Sequence, residues 1–312
     1  MLMDTPNPLV TQLGYPPEAR LVIFHADDVG MCHGSNQAYL DLCAAGLLQT
    51  GSLMMPCPWA PELLQACQQN PALDLGIHLT LTSEWAGYRW GPISTRDPAS
   101  GLIDEEGYFW RRVEGLRAQL QVEAAITELR AQIQRAQQAG LDFTHLDTHM
   151  GAAILPELLQ AYVEFGFAYG VPVLLPRQVD EYVRTLGLVG PDEQAWLDFT
   201  SAVEARGMPL VDWFRITPGY HTDDREAGRA ALYEELLHKL PPGVTYFSLH
   251  PNASGDIETI VPERAYWRTF EHAYFQSQRL RDFLRAEQIM PIGYRAIRNR
   301  MRATLMKQED DR

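Results

Sequence analysis

The chain has 312 residues, 46% of them hydrophobic, so it can bury a large core as one large α/β domain or as two small ones. Forty acidic and 26 basic residues give a formal net charge of -14, which opposes binding to nucleic acid or to an anionic membrane surface. A small neutral ligand is the easier partner.

The N-terminus has no basic run followed by an apolar stretch, and no window approaches the roughly 18 apolar residues of a membrane span. The four cysteines form no Cys-x-x-Cys pair. These features predict a cytoplasmic protein with reduced thiols. A homodimer is compatible with the sequence, which does not fix the oligomeric state.

Strands and helices alternate along the chain. The first strand is an apolar run from Leu21 to Phe24, which ends in a polar cluster that includes Asp27 and Asp28 before Gly30. Further strands are predicted at about 49–55, 73–81, 143–148, 171–175, 245–249 and 289–294. Helices are predicted at about 35–45, 61–69, 122–139, 155–167, 225–240 and 264–287. This alternation indicates βαβ units and a parallel sheet.

The preferred fold is an α/β, TIM-barrel-like (β/α) barrel, which need not have eight regular units. Polar residues fall at the C-terminal ends of four different strands, and in a barrel such ends converge on one point. An open, doubly wound sheet also places sites at strand ends, but no Gly-x-Gly-x-x-Gly motif follows the first strand.

We expect residues 1–312 to form a single catalytic domain, with a core at about 20–295 and insertions on the catalytic face at about 84–112 and 178–219. The first insertion is rich in aromatic residues, glycine and proline. Its aromatics either shape a substrate cleft or pack the loop against the barrel. The charged tail from about 299 to 312 is expected to fray.

Two adjacent carboxylates, Asp27 and Asp28, end the first strand. Neighbouring side chains on a strand point to opposite sides, and a buried charge without a partner is costly. A nearby cation would offset that cost, although the pair taken alone is equally compatible with a turn or a helix cap.

Three ionisable residues alternate at His145, Asp147 and His149 and therefore project to one side of a strand. Imidazole and carboxylate are suitable ligands for zinc and similar ions, and Asp147 could orient a ligating histidine from behind. His78 and His250 also lie at strand ends. Each of these two would be read as structural by itself, and their joint occurrence at strand ends suggests a site.

Together, these strand ends resemble the YdjC-like family of carbohydrate deacetylases, which includes the chitooligosaccharide deacetylases. The resemblance runs from about residue 20 to residue 295. Its carriers are HADDVG at 25–30, the Gly-x-His-Leu-x-Leu-Thr pattern at 76–82, THLDTHMG at 144–151, LHPNA at 249–253 and QRLRDFL at 278–284. Two departures are His25, where asparagine is usual, and Met150-Gly151-Ala152, where many relatives have further histidines.

The resemblance implies a barrel-like fold and one metal ion held by Asp28, His78 and His149. Asp27 then corresponds to the catalytic base, and His250 lies where the family has a strand-end histidine that could act as the acid. We expect four further residues either to hold the ligands in place from behind or to contact the substrate: His145, Asp147, Arg177 and Trp90.

The expected function is metal-dependent hydrolysis of N-acetyl groups on amino sugars or oligosaccharides, with a small carbohydrate as the partner. Zinc or magnesium is the preferred ion, with manganese, cobalt or nickel as alternatives. Two other readings stay open. One is a hydrolase of another amide or ester, and the other is a metal-stabilised sugar-binding protein without turnover.

Overall fold

The computed structural model describes residues 6–185, 192–217 and 226–310. Seven strands are assigned in this part of the chain: β1 (Arg20–Val29), β2 (Thr50–Leu53), β3 (Asp74–Leu79), β4 (Leu146–Thr148), β5 (Trp213–Ile216), β6 (Gly243–Leu249) and β7 (Ile289–Pro291).

Thirteen α-helices accompany them: α1 (Pro8–Gln12), α2 (His33–Ala45), α3 (Ala60–Gln69), α4 (Val113–Gln119), α5 (Val122–Gln138), α6 (Leu159–Tyr169), α7 (Glu181–Thr185), α8 (Glu193–Ala205), α9 (Glu226–His238), α10 (Asp256–Ile260), α11 (Ala265–Tyr274), α12 (Gln278–Ala286) and α13 (Tyr294–Asp310). Short 3₁₀ helices cover Pro98–Ser100 and His149–Ile154. No helix in the described ranges is long and apolar enough to cross a membrane.

All paired strands are parallel, in the order β4-β3-β2-β1-β6-β5, and β7 pairs with the first residues of β1. The segment 173–176 lies between the two edges of this sheet and connects them through two parallel bridges. Val173 pairs with Leu146 on β4, and Pro176 pairs with Val211 just before β5. The sheet therefore curls into a ring, which confirms the prediction of a TIM-barrel-like α/β fold.

The alternation of side chains on β1 divides the core in two. Val22 and Phe24 belong to the large apolar cluster that also includes residues of the surrounding helices, whereas Leu21 and Ile23 belong to a smaller cluster. That smaller cluster also contains residues of α1 and α13, which cover the N-terminal end of the barrel. Because the strand alternates, the side that carries Leu21 and Ile23 carries His25 and Asp27 further along.

Several sequence-based boundaries are wrong. The helix predicted at 264–287 is two helices, α11 and α12, separated at Phe275–Ser277, where the Ser277 side chain caps Leu280. Strand β5 and helices α7 and α8 lie inside the predicted insertion at 178–219, of which residues 186–191 and 218–219 are outside the described ranges. The strand predicted at 171–175 is represented only by bridges.

The tail differs as well. The charged segment from about 299 does not fray in the described part of the chain, since α13 continues to Asp310, with Met301 buried against the core. The helix predicted at 225–240 is α9, which begins at Glu226, while residue 225 lies outside the described ranges.

Candidate metal centre and cleft

The end of β1 brings two adjacent carboxylates to the same cleft. Regular alternation would separate Asp27 from Asp28, but Asp28 adopts a left-handed conformation with φ 58°, which aspartate tolerates better than most residues. The pairing register with β2 also shifts between Ala26 and Val29. Both carboxylates consequently line one cleft at the C-terminal end of the barrel. The helix-cap alternative does not describe them, since α2 begins only at His33, but Asp28 does open a turn, in which its carbonyl accepts from the Met31 N–H at 3.1 Å.

Three buried side chains converge at this strand end. The Oδ1 atom of Asp28 lies 3.1 Å from His149 Nδ1 and 3.5 Å from His78 Nε2. One ligand atom from each of the three residues lies within 4.8 Å of the others, a spacing that could hold a metal ion. The three residues predicted as metal ligands are thus adjacent in space, although they are far apart in sequence.

The outer nitrogens of the two imidazoles are held by carboxylates. His78 Nδ1 lies 2.9 Å from Asp147 Oδ1, and His149 Nε2 lies 2.9 Å from Glu84 Oε2. The Ser52 hydroxyl donates to Asp147 Oδ2 at 2.8 Å and completes the support of His78. Carboxylates that bind the outer N–H of an imidazole leave the other nitrogen with a free lone pair. In both rings that other nitrogen faces Asp28.

The charges around this centre suit a bound cation. Burial would raise the pKa of the Asp28 carboxyl, but Arg268 and the two imidazoles hold that pKa well below its ordinary value. Burial would lower the pKa of His149, yet Glu84 and Asp28 raise it to about 9. Neighbouring carboxylates also outweigh burial at His78 and raise its pKa well above the ordinary value. Without a metal, the two imidazoles therefore hold protons that a divalent ion would displace.

The surroundings of one atom indicate that these residues fit a metal ion. Asp28 Oδ1 is buried and makes no well-aligned hydrogen bond within the described residues; it faces the His149 and His78 ring nitrogens at 3.1 and 3.5 Å, while the other oxygen of the same carboxylate accepts from Arg268 at 2.9 Å. A buried carboxylate oxygen without a partner is costly. Two imidazole nitrogens and one carboxylate oxygen are a donor set found in metal sites.

Asp27 stands beside this centre and is held by other groups. Its carboxylate accepts from Ser248 Oγ at 2.6 Å and from the Tyr246 hydroxyl at 2.9 Å, and it lies 2.6 Å from His25 Nδ1. Burial would raise the pKa of Asp27, but the hydrogen bond and charge of His25 lower it below the ordinary value. Asp27 is therefore an ionised carboxylate in the cleft, outside the Asp28–His78–His149 group.

His250 follows β6 and also lines the cleft. Its Nε2 lies 3.9 Å from Asp27 Oδ2, and its ring packs against Trp267 with centroids 5.1 Å apart. Burial lowers the pKa of His250. The nearby Asp28 carboxylate raises it and the Arg268 charge lowers it, and the net pKa is below the ordinary value. The two residues predicted as base and acid are thus neighbours in one cleft.

A second buried group of His25, His145 and Asp147 lies deeper in the barrel. His25 Nε2 and His145 Nε2 are 2.7 Å apart, and the His145 ring stacks on Tyr294 at 3.9 Å. Asp147 belongs to this group and also supports His78. The alternation of His145, Asp147 and His149 thus places them at successive depths, and only His149 enters the upper group.

The cleft has a volume of about 360 Å³ and two kinds of wall. On one side, Trp85 from the segment after β3 and Trp267 from α11 both lie near the guanidinium of Arg268, whose central carbon is 5.7 Å from the centroid of each ring. Above β5 and the 171–176 segment, the wall is apolar and includes Ile154, Leu174, Pro176, Trp196, Phe214 and Ile216. Aromatic rings beside a few polar groups are common in small-molecule sites.

Three predicted site residues do not line this cleft, namely His145, which belongs to the deeper group, Trp90 and Arg177. Trp90 is buried, and its indole N–H donates to the Thr82 carbonyl at 2.8 Å. Its ring packs against the His149 ring, with centroids 6.1 Å apart, so Trp90 lies in the core behind the Asp28–His78–His149 group rather than over the mouth of the barrel. Arg177 is buried in ion pairs with Glu204 and Asp212. These contacts explain both residues by packing and ion pairing, and neither residue borders the cleft.

Several residues of the site were missed by sequence reasoning. Tyr246 and Ser248 alternate with His250 along β6, so the strand pattern could have revealed them. In the sequence, Glu84 stands only as the first residue of a predicted insertion, with no signal that it supports a histidine. Arg268 reaches the cleft from α11, and a helix gives no strand-end signal by which the sequence could identify it.

Comparison with known proteins identifies the group to which this chain is related. A family model described as YdjC-like protein matches residues 21–286. A carbohydrate deacetylase from Thermus thermophilus is 32% identical over 282 residues, covering 89% of this chain and 94% of the relative. A chitooligosaccharide deacetylase from Yersinia enterocolitica is 26% identical over 185 residues, covering 57% of this chain and 68% of the relative.

A solved structure supports the fold. A protein from Enterococcus faecalis, provisionally named a cellobiose-phosphate cleavage protein, superposes with a TM-score of 0.71 at 20% sequence identity, covering 89% of this chain and 99% of the other. This likeness concerns the fold alone. The family model spans most of the chain and includes the four strand ends that form the cleft, so the chain belongs to the YdjC-like family.

Proposed function

We propose that this protein is a metal-dependent hydrolase that removes N-acetyl groups from amino sugars or oligosaccharides. The observation that carries the proposal is the convergence of the buried Oδ1 atom of Asp28, which makes no well-aligned hydrogen bond within the described residues, with one nitrogen of His78 at 3.5 Å and one of His149 at 3.1 Å. A second carboxylate, Asp27, lies beside this group without belonging to it. A metal site next to a free base is the arrangement that hydrolysis of an amide requires.

Asp28, His78 and His149 would hold the ion, and Asp147 and Glu84 would keep the two imidazoles oriented toward it. When bound, a divalent ion supplies Lewis-acid activation of water and of the substrate carbonyl. The nitrogen and oxygen donors suit zinc and other divalent ions, and magnesium, manganese, cobalt and nickel remain alternatives to be tested.

The chain's own residues would move the protons. Asp27 takes a proton from the attacking water, whose oxygen forms the new bond to the acetamide carbon. His250 Nε2 lies 3.9 Å from Asp27 Oδ2, near enough for a small adjustment to pass the proton onward. His250 then protonates the leaving amine as the carbon–nitrogen bond breaks, which releases acetate and a free amino sugar.

The sugar part of the proposal is supported by relatives and by the walls of the cleft. Two similar proteins are named carbohydrate deacetylase and chitooligosaccharide deacetylase. In the cleft, Trp85, Trp267 and Trp196 offer flat aromatic surfaces, against which the apolar faces of sugar rings can stack.

The direct test is release of acetate from N-acetylglucosamine and from chitooligosaccharides, measured before and after chelation and after each divalent ion is added back. We expect activity to vanish on chelation and to return with at least one ion. Sugar binding without acetate release under every metal condition would replace the hydrolase with a non-catalytic sugar-binding protein.

The apolar wall favours one second candidate, a hydrolase of another amide or ester. Six side chains of the cleft are apolar on the side of β5, which suits a more apolar acyl or alcohol group. A panel of simple N-acyl amines and acetate esters distinguishes the two. Cleavage of this panel without cleavage of any N-acetyl sugar would favour the second candidate.

A further inference from the structure

A buried carboxylate behind the cleft, Glu271 on α11, has no part in the steps proposed above. Its side chain is fully buried and accepts four hydrogen bonds. Their donors are the backbone N–H of His250 and the side chains of Thr217, Tyr233 and Trp267. Three of these four residues line the cleft. Glu271 thus joins the end of β6, the end of β5, α9 and α11 directly behind the proposed acid.

Of the four hydrogen bonds to Glu271, the one from His250 bears most directly on the reaction, because His250 is the proposed acid. The His250 N–H donates to Glu271 Oε2 at 2.6 Å, while Oε1 accepts from the Trp267 indole at 2.9 Å. The Trp267 ring in turn packs on the His250 imidazole, with centroids 5.1 Å apart. One carboxylate therefore holds both the backbone and the ring partner of His250.

The His250 imidazole lacks the usual means of orientation. An acid–base histidine is commonly aligned by a hydrogen bond to the ring nitrogen that does not react. His250 Nδ1 is buried, and it has no hydrogen-bond partner among the described residues. The direction of Nε2 must then follow from the backbone of His250 and from the packing of Trp267, and Glu271 fixes both.

We propose that Glu271 is a positioning residue that aims His250 Nε2 at the leaving amine. This inference rests on the proposed deacetylation and on the role of His250 in it. Burial raises the pKa of Glu271 to about 7, while its hydrogen-bond donors act in the opposite direction. Because burial of this carboxylate is costly and three of its four donor residues line the cleft around His250, we expect Glu271 to serve that part of the cleft.

The test is a double-mutant cycle of Glu271→Gln and His250→Ala, with kcat, KM and metal content measured on an N-acetylated chitooligosaccharide. The amide of glutamine keeps the shape but cannot accept as many hydrogen bonds. We expect Glu271→Gln to lower kcat by about 10- to 100-fold, within the range typical of acid–base catalysis, with KM and metal content little changed. In the His250→Ala background the same substitution should cost almost nothing more.

Glu128 provides a matched control. It is also a fully buried carboxylate on a helix, it accepts from the backbone N–H groups of Ile93 and Ser94, and it does not line the cleft. Glu128→Gln should lower the melting temperature to a similar extent while kcat stays unchanged. If Glu271→Gln does not fold, the same double-mutant cycle can be made with Glu271→Asp. The shorter side chain keeps the carboxylate but moves it away from the His250 N–H.

The outcomes separate this inference from the proposed function. If the wild-type protein releases acetate but the losses of the two variants multiply, Glu271 acts independently of His250 and the inference fails alone. Unchanged kcat in Glu271→Gln, or a loss confined to KM or to metal content, also overturns it. If the wild-type protein releases no acetate from any N-acetyl sugar, the proposed function fails and takes this inference with it.

Discussion

The two buried histidine–carboxylate groups have the same composition but different hydrogen bonding. The upper group contains Asp28, His78 and His149, and the lower group contains His25, His145 and Asp147. Each has two imidazoles and one carboxylate, each is buried, and in each the candidate ligand atoms lie within 4.8 Å of one another. Composition, burial and spacing therefore cannot decide which of them holds a metal ion.

In the lower group the protein itself satisfies the polar atoms. His25 Nδ1 meets the Tyr246 hydroxyl at 2.7 Å, His25 Nε2 meets His145 Nε2, and His145 Nδ1 meets Thr144 Oγ1 at 3.0 Å. Burial and the neighbouring His25 lower the pKa of His145 well below its ordinary value, which favours a neutral ring. A metal ion would have to break these hydrogen bonds.

In the upper group the hydrogen bonds to the imidazoles go to their outer nitrogens only, whereas the two inner nitrogens face Asp28 Oδ1, which makes no well-aligned hydrogen bond in the described chain. The difference teaches that a metal site is recognised by what its inner atoms lack rather than by which residues are present. We therefore expect one divalent ion per chain, in the upper group.

The largest effect should come from removing an upper ligand. His78→Ala or His149→Ala should abolish stoichiometric metal and lower kcat/KM by about 1,000-fold or more, because several kcal/mol of Lewis-acid stabilisation disappear. The matched lower variant, His145→Asn, should keep the metal and lose thermal stability instead. Elemental analysis of the three purified proteins is the measurement. Metal loss in His145→Asn with full occupancy in the other two would reverse the assignment.

The next effect separates the adjacent carboxylates of β1. Asp27→Asn should lower kcat by about 100- to 10,000-fold, the range typical of a lost general base, while the metal content remains unchanged. Asp28→Asn should weaken metal binding itself, since it replaces the carboxylate ligand. Parallel metal titrations and kinetics of the two variants decide the matter, and an empty site in Asp27→Asn with a full one in Asp28→Asn would exchange the two roles.

A third prediction concerns the protons that the upper group holds without metal. The pKa of His149 is raised to about 9, so below that pH a binding ion must displace a proton. Metal affinity should therefore rise about tenfold per pH unit for each displaced proton as pH increases from 7, and the contribution of His149 should level off above about 9.

Competition with a chelator of known affinity at several pH values measures this dependence. Glu84→Gln should move the plateau to lower pH, because the Glu84 charge is the leading cause that raises the pKa of His149. The same change should weaken the metal by about 10- to 100-fold at high pH, as is typical for the loss of a residue that orients a ligand. Affinity that does not change between pH 7 and 9 would contradict the proposed displacement.

Much of this site could be predicted from the sequence, because many of its residues lie at strand ends, where side-chain alternation and the change from apolar to polar residues are visible in the sequence. Period-two alternation predicts that His145, Asp147 and His149 share one face, and an apolar run with a polar end marks Asp27 and Asp28 as site candidates. The selection of Asp28, His78 and His149 as the ligands follows from the family resemblance. The parallel, curled sheet brings those strand ends together, as expected for a barrel.

The rest could not be predicted, because it depends on the path of helices and loops. Glu84 stands beyond the end of β3, and only the return of the following loop brings it to His149. Arg268 and Glu271 lie three residues apart on α11, a spacing that places them on neighbouring positions of a helix surface without indicating what they face. The misjudged boundary between α11 and α12 has the same cause, since helical periodicity continues across the break.

The smallest predicted effect concerns the aromatic insertion, where two tryptophans stand in different relations to the upper group. Trp85 lines the cleft beneath the guanidinium of Arg268, whereas Trp90 is buried behind His149. Trp85→Ala should raise KM for the sugar by about tenfold or less, the equivalent of about 1.4 kcal/mol of binding, with little change in melting temperature.

Trp90→Ala should behave in the opposite way. Removing a buried tryptophan costs about 3–5 kcal/mol of unfolding free energy, so the melting temperature should fall first, and metal affinity should weaken as His149 loses its packing partner. Thermal denaturation and steady-state kinetics of the two variants give the comparison. A Trp90→Ala protein with unchanged melting temperature and raised KM would instead indicate that Trp90 contacts the substrate. Its indole would then have to leave the core and enter the cleft.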